Sequence, residues 1–258
     1  MAYSRQSTIG VRIFLWLVVA ALLGLLFFVW TKNSVERLQA AISAGNMVEV
    51  ERLLSTGINV NGRNQLGETP LHYAVSQGNL ALVRLLLTAG ANPNIADDWG
   101  VTPLLQAVQN RALVEILLAR GAKIDAVGLD GRTALHRAAQ EGQPEAADVL
   151  LNQGAGIEAR DRFRLTPLLV AVVARQLAVT KLLLKRGAAV NVQGQDGRSA
   201  LHWAAVNGDR EIFQLLGEVG ANQSLRDKNG EIAADLARRS GHSKLLQGRI
   251  ESSPAAEN

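Results

Sequence analysis

The sequence predicts an all-α protein built as a solenoid of about seven stacked helix pairs, preceded by one transmembrane helix. Three observations carry this prediction. One phrase of residues recurs seven times down the chain, at a spacing of 33 or 31 residues. Hydrophobic residues make up 48% of the chain but aromatics only 4%, so the core must come from Leu, Ala and Val, which suit closely packed small helices. Near the start, residues 13–31 run for 19 positions without a charge.

That apolar run is the first element. At 1.5 Å per helical residue it spans about 28 Å, the thickness of a bilayer's hydrocarbon core. Trp16 and Trp30 lie towards its two ends, where amphipathic rings favour the headgroup region. A cleaved signal peptide has a shorter apolar region of about 7–15 residues and then small residues at the cut. Here the run closes on Phe27-Phe28-Val29-Trp30, which no small-residue rule fits. Residues 1–12 form the leading flank, with Arg5 and Arg12 and no acid, against Lys32 and Arg37 on the other side. The basic, acid-free start points to a cytoplasmic N-terminus, with the larger C-terminal part on the far side. The expected location is therefore a single-pass protein of the plasma or inner membrane.

Charge and cysteine content exclude several classes. The chain has 27 Lys+Arg and 23 Asp+Glu. Three of the basic residues (Arg5, Arg12, Lys32) flank the apolar run, which leaves 24 basic against 23 acidic beyond it. A nearly neutral body lacks the basic face that phosphate contacts need, so no nucleic acid is expected as a partner. With no cysteine, disulfide scaffolds, thiol catalysis and cysteine-based metal sites fall away.

The repeated phrase follows. Thr69-Pro70-Leu71-His72-Tyr73-Ala74 returns as Thr102-Pro103-Leu104-Leu105-Gln106-Ala107 and as Thr133-Ala134-Leu135-His136-Arg137-Ala138. It returns again from Thr166 and from Ser199, and degraded copies begin at Glu36 and Ile232. The repeats thus start near 36, 69, 102, 133, 166, 199 and 232, within a repeat domain of residues 34–247. Residues 248–258 read as a disordered tail.

Each unit can be argued from its chemistry. Thr or Ser caps a helix, and Pro at the next position is tolerated in its first turn. Gly45, Gly78, Gly142, Gly208 and Gly241 end that first helix with a left-handed turn. A second helix rich in Leu and Val follows, closed by Gly90, Gly121, Gly154, Gly187 and Gly220. A third glycine series (Gly67, Gly100, Gly131, Gly197, Gly230) stands two residues before the next cap, as a turn tip requires. Neither helix buries its apolar face alone, so the units must stack.

The T-P-L-H-x-A phrase, the 33-residue period and the trailing L-L-x-x-G-A-x-x-N resemble the ankyrin repeat over about residues 36–247. The resemblance implies antiparallel helix pairs joined by protruding β-hairpin-like loops and stacked into a curved solenoid. It also implies binding to another macromolecule in place of catalysis. It makes His72, His136 and His202 structural residues that tie loop to helix.

The departures from the pattern carry expectations of their own. The third repeat lacks two residues between Ala107 and Leu117, with Asn110 as the expected left-handed stand-in for glycine. Arg164 and Arg175 occupy glycine positions, which strains the turn by about 1 kcal/mol if the backbone is kept. The last repeat replaces the cap–proline pair and carries Asp235, Arg238, Arg239 and Ser240, as a water-facing end repeat should.

For function, no G-x-S-x-G, G-x-x-x-x-G-K or G-x-G-x-x-G occurs, so no enzyme, cofactor or metal is expected. Binding is better supported. Three residues before each cap, at a position the resemblance places near the hairpin tip, stand Leu66, Trp99, Asp130, Phe163, Asp196 and Asn229, with Leu129 beside the first Asp. Just after the T-P-L-H phrase, on the inner helix, stand Tyr73, Gln106, Arg137, Val170 and Trp203. With Arg132, Arg162, Arg164 and Arg198 these are expected to line the concave side, in the residue types enriched at binding hot spots. The predicted partner-binding set is Leu66, Tyr73, Trp99, Leu129, Arg132, Arg137, Phe163 and Trp203. The function expected is a monomeric, membrane-anchored scaffold for a protein partner. The alternative is a cleaved, soluble periplasmic or secreted repeat protein that protects or delivers an enzyme.

Overall fold

The computed structural model describes residues 16–20 and 35–246. Residues 16–20 are helical, with Trp16 and Leu17 exposed. The rest of the expected span 13–31, the flank 1–12 and the tail 248–258 lie outside the described residues. Among the described residues no helix is long and apolar enough to cross a membrane. The chain divides into two units, Met1–Asn92 and Pro93–Asn258.

The first unit contains α1 (35–43), α2 (Met47–Ser55), α3 (Pro70–Ser76) and α4 (Leu80–Thr88). Each start has a chemical cause. Asn46 accepts the Glu49 N–H at 3.1 Å, and Asn79 accepts the Leu82 N–H at 3.1 Å. Thr69 opens α3 with Pro70 in its first turn. The helices bury Leu38, Ile42, Val50, Leu53, Leu71, Leu82 and Leu86. Each such side chain contributes about 1.5–3 kcal/mol of transfer energy. Asn61 ties the end of one repeat to the next, donating to the Gly90 carbonyl at 3.1 Å and accepting the Asn92 N–H at 2.7 Å.

The second unit contains α5 (Pro103–Gln106), a 3₁₀ turn (Ala107–Gln109), α6 (Arg111–Ala119), α7 (Ala134–Glu141), α8 (Pro144–Asn152), α9 (Pro167–Val173), α10 (Leu177–Lys185), α11 (Ala200–Asn207), α12 (Arg210–Glu218), α13 (Ala233–Arg239) and a closing 3₁₀ turn (Ser243–Leu246). First helices pack on first helices, α7 on α9, α9 on α11 and α11 on α13. The second helices α6, α8, α10 and α12 form the other layer in the same order. Buried Leu135, Leu150, Leu168, Leu183, Leu201 and Leu216 fill the space between the layers. Buried Ala138, Ala139, Ala146, Ala147, Ala204 and Ala205 let the helices approach closely, which is why so few aromatics suffice. No strand occurs among the described residues; the loops between helix pairs are closed by turns.

The glycine series behave as the repeat pattern requires, and Arg164 (φ 59°) and Arg175 (φ 61°) keep the left-handed backbone of the glycines they replace. Each arginine costs about 1–2 kcal/mol there, which the surrounding repeats must offset. Asn110 corrects an expectation. It is extended (φ −131°, ψ 103°), not left-handed, and it caps α6 by accepting the N–H groups of Ala112 and Leu113 at 3.1 and 3.3 Å. The two missing residues are absorbed upstream, where α5 stops after Gln106 and tightens into the 3₁₀ turn. With the linker that short, the residue after the turn must already begin the next helix, and Asn is among the best N-caps. At the other end, Asp235 accepts the Ile232 N–H at 3.2 Å, the bond that His72, His136 and His202 make to the cap N–H in earlier repeats.

Candidate functional site

The hairpin tips ahead of Thr69, Thr102, Thr166 and Ile232 are held by a carboxylate or amide five residues before the cap, whereas Gly128 and Gly194 hold that place ahead of Thr133 and Ser199. Asp97 accepts the N–H groups of Trp99 and Val101 at 2.9 and 2.8 Å through one oxygen. Asp161 does the same for Phe163 and Leu165, both at 2.9 Å, and Asp227 for Asn229 and Glu231. An Asx side chain that bonds its own backbone two residues on folds the chain back sharply. The residue at the turn must then point away. Trp99 is 53% exposed and Phe163 58% exposed, and Leu129 is exposed beside them.

Within the second unit the tips are joined to each other. The Leu129 N–H donates to the Trp99 carbonyl at 3.2 Å, Arg162 to Asp130 at 3.1 Å, Gln195 to Phe163 at 2.9 Å and Lys228 to Asp196 at 3.0 Å. This ladder sets the side chains of successive tips side by side. Gly197 permits it, since a Cβ there would lie 2.7 Å from the Lys228 nitrogen.

Two histidines fasten the ladder to the helices. His136 accepts the Thr133 N–H on Nδ1 at 3.3 Å, and its Nε2–H donates to the Leu165 carbonyl in the next loop at 3.0 Å. His202 repeats this with Ser199 and with the Glu231 carbonyl at 3.2 Å. Burial pushes both imidazoles below their ordinary pKa, against the pull of the carbonyls they bond. A neutral ring with one donor and one acceptor is what this bridge needs. These are structural roles.

The repeated helix pairs, their caps and their laddered loops have close counterparts among known proteins. The family model described as ankyrin repeats (3 copies) matches residues 18–97, 81–161 and 153–227. The chain belongs to the ankyrin-repeat family. The crystal structure of the human ASB11 ankyrin repeat domain is 33% identical, covers 84% of this chain and 99% of that one, and superposes with a TM-score of 0.74. The ankyrin repeat domain of Bcl-3, described as a unique member of the IkappaB protein family, is 35% identical over 82% of this chain and 98% of that one, with a TM-score of 0.72. No curated protein matches the chain.

On this ankyrin scaffold the sequence-predicted binding residues fall into distinct settings. In the first unit, Leu66 is an exposed tip, and the half-buried Tyr73 hydroxyl accepts from Asn64 at 3.1 Å. In the second unit, Trp99, Leu129 and Phe163 are the exposed tip residues. Arg132 is taken up inside the scaffold, donating to the buried Asp161 carboxylate at 3.1 Å and to Gln140 at 2.6 Å. Arg198 is held in the same way by Asp227 at 3.5 Å. Burial opposes the Asp227 carboxylate, but the N–H groups of Glu231 and Asn229 and the Arg198 guanidinium outweigh it and hold its pKa below the usual carboxylate range.

The first-helix position after the T-P-L-H phrase has a property that the sequence did not reveal. Gln106 Oε1, Arg137 Nε and Trp203 Nε1 are all buried, and none has a hydrogen-bond partner among the described residues. Native interiors rarely leave such atoms unpaired. Arg137 spends one of its other nitrogens on Asp130 at 3.5 Å. The Trp203 ring lies 4.9 Å below the Arg198 guanidinium, a cation–π contact.

Beside Trp203 the surface opens into a cleft of about 330 Å³, lined by Phe163, Leu165, Gln195, Asp196, Trp203 and Lys228. Gly194 makes room for its floor, because a Cβ there would meet Leu165 Cδ2 at 2.9 Å. The sequence reading found Phe163 and Trp203 separately. Leu165, Gln195 and Lys228 were missed as members, although Gln195 and Lys228 share the repeat position of Leu129.

Proposed function

We propose that this ankyrin-repeat protein is a non-catalytic scaffold that holds a protein partner through its hairpin tips and the adjoining concave first-helix face, while residues 13–31 anchor it in a membrane. The observation that carries the binding reading is the outward placement of Trp99 and Phe163. The backbone that bears both rings is fixed by Asx clamps and the ladder, and both rings are left to solvent. Rigid aromatics that the core does not use are what a binding surface employs as anchors. The anchor reading is supported by the uncharged run and by the exposure of Trp16 and Leu17 within it. The repeats are proposed to lie on the non-cytoplasmic side of a plasma or inner membrane, and the protein to act as a monomer.

The test has two arms. The full chain captures its partner from a cross-linked membrane fraction, and the partner is then titrated against the Trp99→Ala, Phe163→Ala double variant. The expected result is at least a tenfold loss of affinity, about 1.4 kcal/mol, with an unchanged melting curve. Normal binding with a melting point several degrees lower would make the rings packing residues and end the reading. Carbonate extraction decides the anchor: the protein should stay in the pellet, and release to the supernatant would favour the cleaved, soluble alternative.

A further inference from the structure

We infer that the cleft between Phe163 and Trp203 is the specificity pocket of this surface, and that it takes one bulky apolar side chain from an acidic peptide segment. The inference rests on the scaffold reading and narrows it to a stated chemistry. Shape and lining give the apolar half. The Phe163 ring, the Leu165 side chain and the Trp203 indole form three walls of a 330 Å³ cleft, at the small end of ligand-sized sites. That suits a single side chain.

Charge gives the acidic half. Arg162 and Arg164 flank Phe163 on the same tip, both exposed, and Lys228 lines the cleft from the next tip but one. Arg162, Arg164 and Lys228 form no ion pair among the described residues, whereas Arg132 and Arg198 are committed to Asp161 and Asp227. The one carboxylate lining the cleft, Asp196, accepts the Arg198 N–H at 2.9 Å and stands 3.8 Å from its guanidinium. The uncompensated charge around the cleft is therefore positive. Carboxylates on either side of the inserted residue would meet it, and a basic segment would be repelled.

The unpaired Trp203 Nε1–H is an independent pointer. It is a buried donor at the wall of a cleft, and a peptide bears a carbonyl at every residue. A turn of the indole as the side chain enters would pair the two.

The experiment pans a 12-residue random-peptide library displayed on phage against the full chain in detergent micelles. The selected peptides should share one large apolar residue flanked by Asp or Glu. Synthetic versions, titrated by fluorescence polarisation, should bind at least tenfold more weakly to Trp203→Phe and at least threefold more weakly to Lys228→Glu. Lys228 is exposed, so that variant reports on charge without disturbing the fold, and melting curves check Trp203→Phe. Replacing the peptide's apolar residue with Ser should abolish binding. Selection of basic or anchor-free peptides, equal binding to Trp203→Phe, or no enrichment over bare micelles would overturn the inference. Self-association of the full chain in sedimentation, lost in Trp203→Phe, would assign the cleft to a second copy and overturn it likewise. Peptides lost with Trp99→Ala but kept with Trp203→Phe would remove the cleft and leave the scaffold standing.

Discussion

Replacing Asp161 with Ala should destabilise the second unit by about 3–5 kcal/mol, the usual loss when one partner of a buried ion pair is removed. The local geometry supports that size. The side chain is fully buried; one oxygen accepts two N–H groups at 2.9 Å and the other pairs with Arg132 at 3.1 Å. A hydrogen bond to a charged group contributes about 1.5–3 kcal/mol, so three would exceed the figure given. The excess is recovered because the N–H groups are only part-buried and Arg132 keeps Gln140. Asp161→Asn keeps the acceptor oxygen and loses the charge, and should cost about half as much. Asp196→Ala, at a half-exposed tip where the Arg198 N–H bond and the 3.8 Å contact to its guanidinium are screened by solvent, should stay within about 1 kcal/mol. Thermal melts of the full chain would read these as shifts of about 2–4 °C per kcal/mol. Hydrogen exchange at the Phe163 and Leu165 amides would show whether the tip opens first, which matters because repeat arrays can unfold piecemeal. If Asp161→Ala melts like Asp196→Ala, the clamp is not what holds the tips.

Two further outcomes follow from burial. Burial sets the pKa of His136 and His202 below the ordinary value, so as pH falls the unfolded chain takes up protons first. Stability should be full above about pH 6.5 and decline below it, and His136→Gln with His202→Gln should flatten that part of the melting-point profile. Leu135 is fully buried in a middle repeat and Leu66 is 47% exposed, so Leu135→Ala should cost about 2–5 kcal/mol in urea melts and Leu66→Ala no more than about 0.5. Equal losses would mean that the faces were assigned wrongly.

The features legible in the sequence are those decided within a few residues. Thr or Ser before Pro or Ala dictates a cap, and a glycine in a fixed frame dictates a left-handed turn, so both could be read off one repeat and copied along the chain. Exposure of Trp99 and Phe163 followed from the same register. Asn110 shows where that logic stops. Asn serves equally well in a left-handed turn and at an N-cap, and only the length of the linker, measured in three dimensions, chose between them. Arg132 shows another limit: its carboxylate partner lies 29 residues away, where no local pattern points. The cleft was illegible for the same reason, since its walls come from three tips and a helix brought together by the backbone ladder.

The arginine–aspartate contacts have a rhythm slower than the repeat. Arg132 reaches forward to Asp161 and Arg198 to Asp227, while the hairpins that bear these arginines have Gly128 and Gly194 where the others have a clamp. Between Gly128 and Asp227 the hairpins thus alternate between givers and receivers of a guanidinium, and within that stretch the interchangeable module is a couplet. Cutting out residues 133–198 would bring Arg132 into the frame of Arg198 and leave Asp227 with a donor. Cutting out a single repeat of that stretch would set giver beside giver, or receiver beside receiver, and strand a charge in the interior. Lengthening or shortening that stretch, by recombination or by design, should therefore succeed two repeats at a time.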